Sequence, residues 1–198
     1  MTTRKAIEEH LMFLGKFLRN PRNVGSVMPS SQALAREMAR AVPVSPDAIV
    51  VELGPGTGAL TRQVVAVLAP GERFLAIDID PEFCDNLRRR WPQIDCECGS
   101  AADMPKMLAA RQWKGVHHVL SGLPFASLPA AISRAILAAV AQSLVPGGTF
   151  TTFQYVHAFA TPPAVKFRQQ MAERFGPIVS RQLVVRNVPP AYVMTWKK

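Results

Sequence analysis

The sequence predicts an α/β fold: one mainly parallel seven-stranded β-sheet with helices on both faces. Short apolar strand patterns alternate with longer helical patterns along most of the 198 residues, which is typical of parallel strands joined by crossover helices. The last two strand patterns are separated only by Val188, Pro189 and Pro190, which indicates an antiparallel hairpin at one edge. Hydrophobic residues make up 48% of the chain and charged residues 19%, which fits a single globular core.

The elements follow one another in a regular order from residue 49 onwards. Strands are predicted over residues 49–53, 74–78, 94–97, 116–121, 149–155, 178–186 and 191–196. Helices are predicted over residues 57–68, 81–90, 104–111, 129–144 and 164–175. In a sheet of this kind the functional site lies beyond the carboxyl ends of the strands. Each strand end is therefore a candidate site.

The end of the first strand carries three alternating glycines, Gly54, Gly56 and Gly58. Glycines let the backbone turn tightly and approach a ligand where a side chain would clash. The spacing differs from the G-x-G-x-x-G of dinucleotide-binding folds, and Glu52 would repel a phosphate but attract an ammonium or a hydroxyl group. Asp78 ends the second strand, where a carboxylate can accept both hydroxyls of a ribose. An ordinary glycine-rich turn is the alternative.

These residues resemble the first motif of the class I S-adenosylmethionine-dependent methyltransferases. The resemblance implies their Rossmann-like fold, S-adenosylmethionine as the cofactor, S-adenosylhomocysteine as the product, and no metal. It implies that Gly54, Gly56 and Gly58 line the methionine part of the cofactor, that Glu52 supports its polar end, and that Asp78 holds the ribose. Further cofactor contacts are expected at Ile79, Ser100, Ala101 and Ser121.

The segment after the fourth strand bears on the methyl acceptor. Adenine-N6 methyltransferases, including the ribosomal RNA adenine dimethyltransferases that this chain broadly resembles, carry an Asn or Asp at the first position of an N-L-P-F/Y or D-P-P-Y/F motif. Oxygens there accept hydrogen bonds from the amino group of the base. Gly122 stands at that position here, although Phe125 could still stack on a base. Gly122 therefore argues against nucleic acid as the acceptor, and an RNA adenine methyltransferase is kept as an alternative.

Charge and the N-terminus indicate a membrane. The net charge of +9 predicts an anionic partner, either nucleic acid or an anionic membrane surface. The first 20 residues form an amphipathic helical pattern, and such a helix can lie in an anionic bilayer interface. Its apolar side is formed by Ile7, Leu11, Phe13, Leu14, Phe17 and Leu18. A helix packed onto its own domain is the alternative.

A second resemblance covers nearly the whole chain. Residues 17–31, the glycine turn at 52–58, and residues 186–191 are similar to the soluble bacterial phospholipid N-methyltransferases. That family methylates phosphatidylethanolamine stepwise toward phosphatidylcholine and binds anionic membranes through an N-terminal amphipathic helix. The chain departs from it at Asp78, where Glu is common, and at Met194. We therefore predict a membrane-binding helix and lid segment over residues 1–25 and a methyltransferase domain over residues 26–198.

The chemistry suggests which residues meet the lipid. A sulfonium methyl group needs mainly positioning of a neutral amine, and methylated ammonium groups suit aromatic faces. Tyr155 and Ser121 are the predicted catalytic residues, and Phe125 and Tyr192 are further aromatic candidates for the headgroup. The predicted contacts for the lipid phosphate are Arg22, Ser30, Ser31 and Arg186. A buried core tyrosine and solvated surface arginines are the alternatives.

The remaining features bear on location. Cys84, Cys96 and Cys98 form no even disulfide framework and lack the spacing of a zinc site. No secretory signal and no apolar run of membrane-spanning length is visible. We therefore predict a cytoplasmic protein peripherally bound to the inner face of the cytoplasmic membrane, with no obligate protein partner. A cofactor-binding membrane or regulatory protein without turnover is a third alternative.

Overall fold

The computed structural model describes residues 31–42 and 47–198. These residues form a seven-stranded sheet between two layers of helices. The strands are β1 Ile49–Leu53, β2 Arg73–Asp78, β3 Asp95–Cys98, β4 Val116–Ser121, β5 Leu144–Tyr155, β6 Ser180–Val184 and β7 Ala191–Lys197. The helices are α1 Gln32–Arg40, α2 Ala59–Val65, α3 Pro81–Arg90, α4 Met104–Ala110, α5 Ala130–Ser143 and α6 Pro162–Phe175. Short 3₁₀ turns cover Ala101–Asp103 and Val156–Ala158.

The strand order is β3-β2-β1-β4-β5-β7-β6. Strands β1 to β5 are parallel to one another, and β7 is antiparallel to both β5 and β6. The predicted parallel sheet with an antiparallel edge is thus confirmed. The chain reverses its direction of winding between β1 and β4, and in open α/β sheets such a point is where ligands bind.

Both faces of the sheet are covered by apolar side chains. All five residues of β1 are buried, as expected of a strand that lies between two helical layers. Val50 belongs to a cluster with Leu34 of α1 and Val64 of α2. Val51 belongs to the opposite cluster, which includes Phe167 of α6. The alternation of side chains along β1 therefore holds both layers against the sheet.

Most of the predicted element bounds are close to those observed, and the differences have local causes. Helix α2 begins at Ala59 rather than at 57, because Gly58 has a φ of +81° and is left-handed. Helix α6 begins at Pro162, where prolines fit because the first turn needs no amide donors. Strand β5 begins at Leu144, which pairs with Val116 before a register shift. Strand β6 is shorter at both ends than the predicted 178–186.

Helix α1 was not predicted. It begins after Ser31, whose hydroxyl accepts a hydrogen bond from the Leu34 N–H at 3.2 Å. Leu34 and Met38 are buried against the sheet, so a capping serine before helically spaced apolar residues was the available signal. The predicted amphipathic helix within residues 1–25 lies outside the described residues.

Candidate active site

The carboxyl ends of β1, β2 and β4 are joined by backbone hydrogen bonds that continue the parallel pairing into the loops. The Gly54 N–H donates to the Ile77 carbonyl at 2.9 Å, and the Gly122 N–H donates to the Leu53 carbonyl at 2.9 Å. The glycine turn after β1 is thus held between the ends of its two neighbouring strands. This is the edge at which the sequence places the cofactor.

All three glycines of the turn have positive φ angles: +69° at Gly54, +54° at Gly56 and +81° at Gly58. A Cβ at Gly54 would lie 2.5 Å from Leu123 Cδ2, and a Cβ at Gly58 would lie 2.6 Å from the Trp91 ring. A Cβ at Gly56 would meet nothing within 4 Å. The outer two glycines therefore allow close packing, and the middle one faces space that a ligand can enter.

Asp78 connects the end of β2 to this turn. Its Oδ2 accepts a hydrogen bond from the Gly56 N–H at 2.9 Å, and its Oδ1 accepts one from the Asp80 N–H at 3.0 Å. Burial raises the pKa of the Asp78 carboxyl, while these two amides oppose the rise. Each carboxylate oxygen has a second lone pair, so Asp78 can still accept from the hydroxyls of a ribose.

Glu52 is fully buried in the middle of this edge. Its Oε2 accepts a hydrogen bond from the Thr61 hydroxyl at 2.7 Å. Its Oε1 is buried with no hydrogen-bond partner among the described residues. Burial is the largest cause that raises the pKa of Glu52 to about 8, and the charge of Asp78 adds to it. The edge thus holds two buried carboxylates with raised pKa values.

These features fit the predicted cofactor. S-adenosylmethionine carries an ammonium group, a sulfonium group and two ribose hydroxyls, all of which are complementary to buried carboxylates. The space at Gly56 and the unpartnered Glu52 Oε1 are what such a ligand would use. Neither a phosphate nor another anion would be favoured beside Glu52 and Asp78.

The loops after β2 and β3 hold three further predicted contacts. Ile79 follows Asp78 and packs on the cluster that lies under α4 to α6, to which Ala101 also belongs. The Ser100 hydroxyl accepts from the Ala102 N–H at 3.2 Å and so caps the 3₁₀ turn. Asp103, at the end of the same 3₁₀ turn, pairs with Lys106 at 2.7 Å on the surface. Ser100 thus has a structural role, and its cofactor contact stays a prediction.

Ser121 and Phe125 are both enclosed by protein. The Ser121 hydroxyl accepts from the Leu123 N–H at 3.2 Å, and its carbonyl accepts from the Thr152 hydroxyl at 3.0 Å. The Phe125 ring is 7% exposed and stacks on Phe167 with ring centres 4.9 Å apart. These contacts assign both residues to packing, and their catalytic and headgroup roles stay predictions.

The structure brings together two predicted residues from distant parts of the chain, Ser31 and Tyr155, at the end of β5. The Ser31 N–H donates to Asn187 Oδ1 at 3.1 Å, so the chain before α1 reaches the β6–β7 loop. In the same region Tyr155 pairs with Ala191, and the Val156 N–H donates to the Pro190 carbonyl at 2.8 Å. Tyr155 is half-buried, and its ring packs against Phe153 and His157. Ser31 and Tyr155 are thus both placed at this end of the sheet.

Other predicted residues are not brought to that place. Tyr192 is opposite Gln154 in the β5–β7 pairing, so its ring lies on the face opposite to Tyr155. It packs against Phe159 with ring centres 4.8 Å apart. Arg186 is exposed on the β6–β7 loop. Arg22 and Ser30 lie outside the described residues.

Three residues of the site were missed by sequence reasoning: Thr61, which donates to Glu52, and Leu123 and Trp91, which pack on Gly54 and Gly58. Thr61 sits in the helix that follows the glycine turn, so its position was a usable signal. Leu123 and Trp91 come from other loops, and only the folded packing shows their role.

The described residues hold neither a metal-ligand cluster nor a membrane-spanning helix. Within residues 31–42 and 47–198, no group of three or more His, Cys, Asp or Glu side chains is arranged to hold a metal ion. In the same part of the chain, no helix is both long and apolar enough to cross a bilayer.

Comparison with known proteins places this site in a family. A family of methyltransferase domains matches residues 50–148. An ornithine lipid N-methyltransferase of Singulisphaera acidiphila is 32% identical over 191 residues, which cover 93% of this chain and 94% of that protein. Ribosomal RNA small subunit methyltransferase A of Chlorobium phaeobacteroides is 25% identical over 107 residues, which cover 53% of this chain and 37% of that protein.

Solved structures share the fold. One is the 1,6-didemethyltoxoflavin-N1-methyltransferase of Burkholderia thailandensis with bound 1,6-didemethyltoxoflavin and S-adenosylhomocysteine. Its TM-score is 0.69 at 18% identity, and the match covers 100% of this chain and 91% of that one. An O-methyltransferase of Bacillus cereus in complex with S-adenosylhomocysteine has a TM-score of 0.64 at 11% identity, over 96% of this chain and 91% of that one. The family match, the Singulisphaera acidiphila relative and the glycine edge all indicate the same family. The chain belongs to the class I S-adenosylmethionine-dependent methyltransferases.

Proposed function

We propose that this methyltransferase N-methylates the amine of a membrane lipid at an anionic membrane surface. Phosphatidylethanolamine and its monomethyl and dimethyl forms are the acceptors that the sequence predicts, with phosphatidylcholine as the end product. The observation that carries the choice of a lipid over a nucleic acid is the packing at Gly122.

Gly122 leaves no room for the side chain that a base amine would need. A Cβ at this position would lie 2.8 Å from the Gly54 carbonyl oxygen, which belongs to the rigid turn of the cofactor edge. An Asn or Asp could enter only if that backbone moved. The position therefore cannot hold the Asn or Asp side chain that accepts hydrogen bonds from the base in adenine-N6 methyltransferases. This argues against RNA as the substrate.

The Singulisphaera acidiphila relative supports a lipid as the methyl acceptor and adds a second candidate acceptor. That relative is named an ornithine lipid N-methyltransferase and matches along nearly the whole chain, whereas the ribosomal RNA enzyme matches only about half of it. An ornithine lipid is therefore the second candidate acceptor. Both candidates require an amine on a membrane lipid, and they differ in the headgroup that the site must fit.

In this proposal the chain's residues position two partners and do little acid–base work. S-adenosylmethionine supplies a methyl group that its sulfonium already activates. Glu52, held by Thr61 at 2.7 Å, offers Oε1 to the ammonium of the cofactor. Asp78, held by the Gly56 and Asp80 amides, accepts from the ribose hydroxyls. Because these groups are fixed by hydrogen bonds in the free protein, little ordering is needed when the cofactor binds.

The acceptor amine must be neutral before it attacks, and the end of β5 favours that form. Burial raises the pKa of the Tyr155 hydroxyl, because a charged group loses solvation there. The same loss of solvation lowers the pKa of an entering ammonium group. After methylation the Tyr155 ring offers an aromatic face to the cationic product. Tyr155 is thus our best candidate for the headgroup pocket.

The test is the transfer of labelled methyl groups from S-adenosylmethionine to defined acceptors. We would compare vesicles that contain phosphatidylethanolamine, vesicles that contain an ornithine lipid, and ribosomal RNA, and identify each product by mass spectrometry. We expect label in an aminolipid and none in RNA. Label in RNA alone would overturn the proposal.

Variants separate turnover from cofactor binding. Replacing Asp78 by Asn should weaken S-adenosylmethionine binding, whereas replacing Tyr155 by Ala should lower methyl transfer and leave that binding close to wild type. Tyr155→Phe is the matched control, because it keeps the aromatic face. Cofactor binding without a product on any lipid would support the third alternative, a cofactor-binding protein without turnover.

A further inference from the structure

The outer edge of the sheet carries an exposed apolar surface that the cofactor site does not use. Val179 is 57% exposed and Leu183 is 49% exposed. Val179 lies just before β6, and its N–H donates to the carbonyl of Thr195, which pairs with Ser180. Arg181 and Leu183 lie on one face of β6, and Val179 is exposed at the same edge of the sheet.

A second arginine is held rigidly beside this face. Arg168 of α6 uses its Nη1 to donate to Gln154 Oε1 at 2.6 Å and to the Phe159 carbonyl at 2.8 Å. Its guanidinium lies over the Phe159 ring, 3.7 Å from the centre. Gln154 is itself buried, and its Nε2 donates to the Ala164 carbonyl. Arg168 is thus fixed, while its Nε and Nη2 donors have no partner among the described residues.

The two arginines share one aromatic pair and no counter-ion. Arg181 lies 5.4 Å from the centre of the Tyr192 ring, and Tyr192 packs on Phe159. The charge of Arg181 contributes to lowering the pKa of Arg168, after burial. Across residues 31–42 and 47–198, no carboxylate forms an ion pair with either guanidinium. Two neighbouring cations without an anion are electrostatically unfavourable until an anion binds.

We propose that Arg168, Arg181, Tyr192, Val179 and Leu183 form a docking surface for anionic phospholipids, here called the edge surface. The phosphate of a lipid binds at the two guanidiniums, and the apolar part of the bilayer interface contacts Leu183 and Val179. None of these residues belongs to the predicted N-terminal helix or to the glycine edge.

The combination of groups favours a lipid over other anionic partners. Nucleic-acid surfaces pair phosphate with polar or stacking groups, whereas the exposed aliphatic side chains of Val179 and Leu183 gain free energy only against an apolar phase. Leu183 and Tyr192 lie one register row from the Val184–Ala191–Tyr155 row at the end of β5, with their side chains on the opposite face of the sheet.

The test is binding of the full chain to vesicles that contain no amine acceptor, namely phosphatidylcholine with one third phosphatidylglycerol. Because these lipids cannot be methylated, the outcome does not depend on the proposed function. Arg181→Gln should weaken binding about fivefold, as expected from about 1 kcal/mol per basic residue near an anionic bilayer. Arg134→Gln on α5 is the matched control, since it removes the same charge from an exposed helix position.

A second variant tests the apolar part of the edge surface. Leu183→Gln should weaken vesicle binding at high salt, where the contribution of charge is screened, while Arg181→Lys should retain most of the wild-type affinity. Thermal unfolding and S-adenosylmethionine binding of each variant report whether the domain is intact. Equal losses for Arg181→Gln and Arg134→Gln would show a general charge effect and overturn the edge surface.

Soluble glycerol phosphate distinguishes a bilayer from a free phosphate. We expect weak binding of glycerol phosphate, and vesicle binding that needs both Arg181 and Leu183. If glycerol phosphate binds tightly through Arg181 and the Leu183→Gln variant binds vesicles as wild type does, the surface is a site for a soluble phosphate and the lipid assignment is wrong.

Discussion

At the scale of single residues, the two buried carboxyl groups of the glycine edge accept different numbers of hydrogen bonds. Both oxygens of Asp78 accept backbone amides, whereas Glu52 has one hydroxyl donor and one oxygen without a partner. A buried oxygen without a donor favours the protonated acid. Glu52 is therefore the group of this edge whose charge depends on conditions near neutral pH, with a pKa of about 8.

Glu52 should make the stability of the free protein fall as pH rises. Below pH ~4.5 the carboxyl is protonated in both the folded and the unfolded chain, so it contributes no pH dependence. Between there and about 8 only the unfolded chain releases the proton, which costs up to about 1.4 kcal/mol of stability per pH unit. Glu52→Gln should flatten this part of the unfolding curve.

Thermal unfolding from pH 5 to 8 without cofactor measures this effect. Glu173→Gln, on the exposed side of α6, makes the same chemical change away from the site and should keep the wild-type pH dependence. Parallel curves for wild type and Glu52→Gln would show that Glu52 does not retain its proton in the fold.

Gly122→Ala tests the closed position beside the cofactor turn. The added Cβ would lie 2.8 Å from the Gly54 carbonyl oxygen, so the turn must shift, at a cost of about 1–3 kcal/mol. We expect a lower unfolding temperature and weaker S-adenosylmethionine binding, both measured by calorimetry.

Gly99→Ala is the matched control for that prediction. A Cβ at Gly99 would also meet an atom at 2.8 Å, but that atom is the terminal methyl of Met107, which can move. Gly99→Ala should therefore be much milder. Equal effects of the two changes would mean that the Gly54 backbone is not the rigid element that we infer.

At the scale of elements, helix α1 is attached to the sheet through its first residues. The Ser31 hydroxyl caps the helix by accepting from the Leu34 N–H, and its own N–H donates to the buried Asn187 side chain. Asn187 also donates to the Pro189 carbonyl at 2.6 Å. One serine thus joins α1 to the β6–β7 loop, and this contact competes with its predicted role as a lipid phosphate contact.

Ser31→Ala and Ser31→Asp separate the two roles of this serine. Alanine removes the cap and should destabilise the fold by about 1 kcal/mol, whereas aspartate also caps helices well and should leave stability near wild type. If Ser31 also contacts a lipid phosphate, the aspartate should repel it and raise the KM for lipid acceptors. Methyl-transfer kinetics on vesicles that contain phosphatidylethanolamine measure this.

An unchanged KM in the aspartate variant would assign Ser31 to capping alone. Loss of stability in both variants would show that the hydroxyl geometry, rather than an acceptor at this position, is what α1 needs.

Most elements were predictable because their signals are local. Strands β1 and β4 are short and are each followed directly by a glycine, and the predicted bounds match those observed. Where predictions failed, the cause lay in conformation or pairing. The left-handed φ of Gly58 delays α2, and β5 extends back to Leu144 because Val116 pairs with it. Neither the φ angle nor the register is visible in residue order.

At the scale of the whole molecule, the cofactor edge was predictable and the acceptor side was less so. Glu52 and Asp78 lie on two adjacent strands and the three glycines directly follow the first of them, so their spacing in sequence translates directly into proximity. Tyr155 and Tyr192 are both aromatic and both near strand ends, yet the β5–β7 register places them on opposite faces. A site assembled across an antiparallel edge depends on a register that sequence patterns do not specify.

We predict that the N-terminal helix supplies most of the membrane binding and that the edge surface supplies the rest. A deletion tests this prediction. The described cofactor groups lie between Glu52 and Gly122, so removal of the first 20 residues should leave S-adenosylmethionine affinity largely intact. Flotation with vesicles rich in phosphatidylglycerol should fall strongly, because an amphipathic helix supplies most of the buried apolar area. The residual flotation should then depend on Arg181, and adding Arg181→Gln to the shortened chain should remove it.

Three outcomes would contradict this prediction, and each points to a different part of the molecule. Unchanged flotation of the shortened chain would assign residues 7–18 to packing on their own domain. Residual flotation that does not respond to Arg181→Gln would place the remaining membrane contact elsewhere on this basic chain, whose net charge is +9. Loss of cofactor binding in the shortened chain would show that the first 20 residues help to build the methyltransferase domain, so the predicted boundary near residue 25 would be wrong.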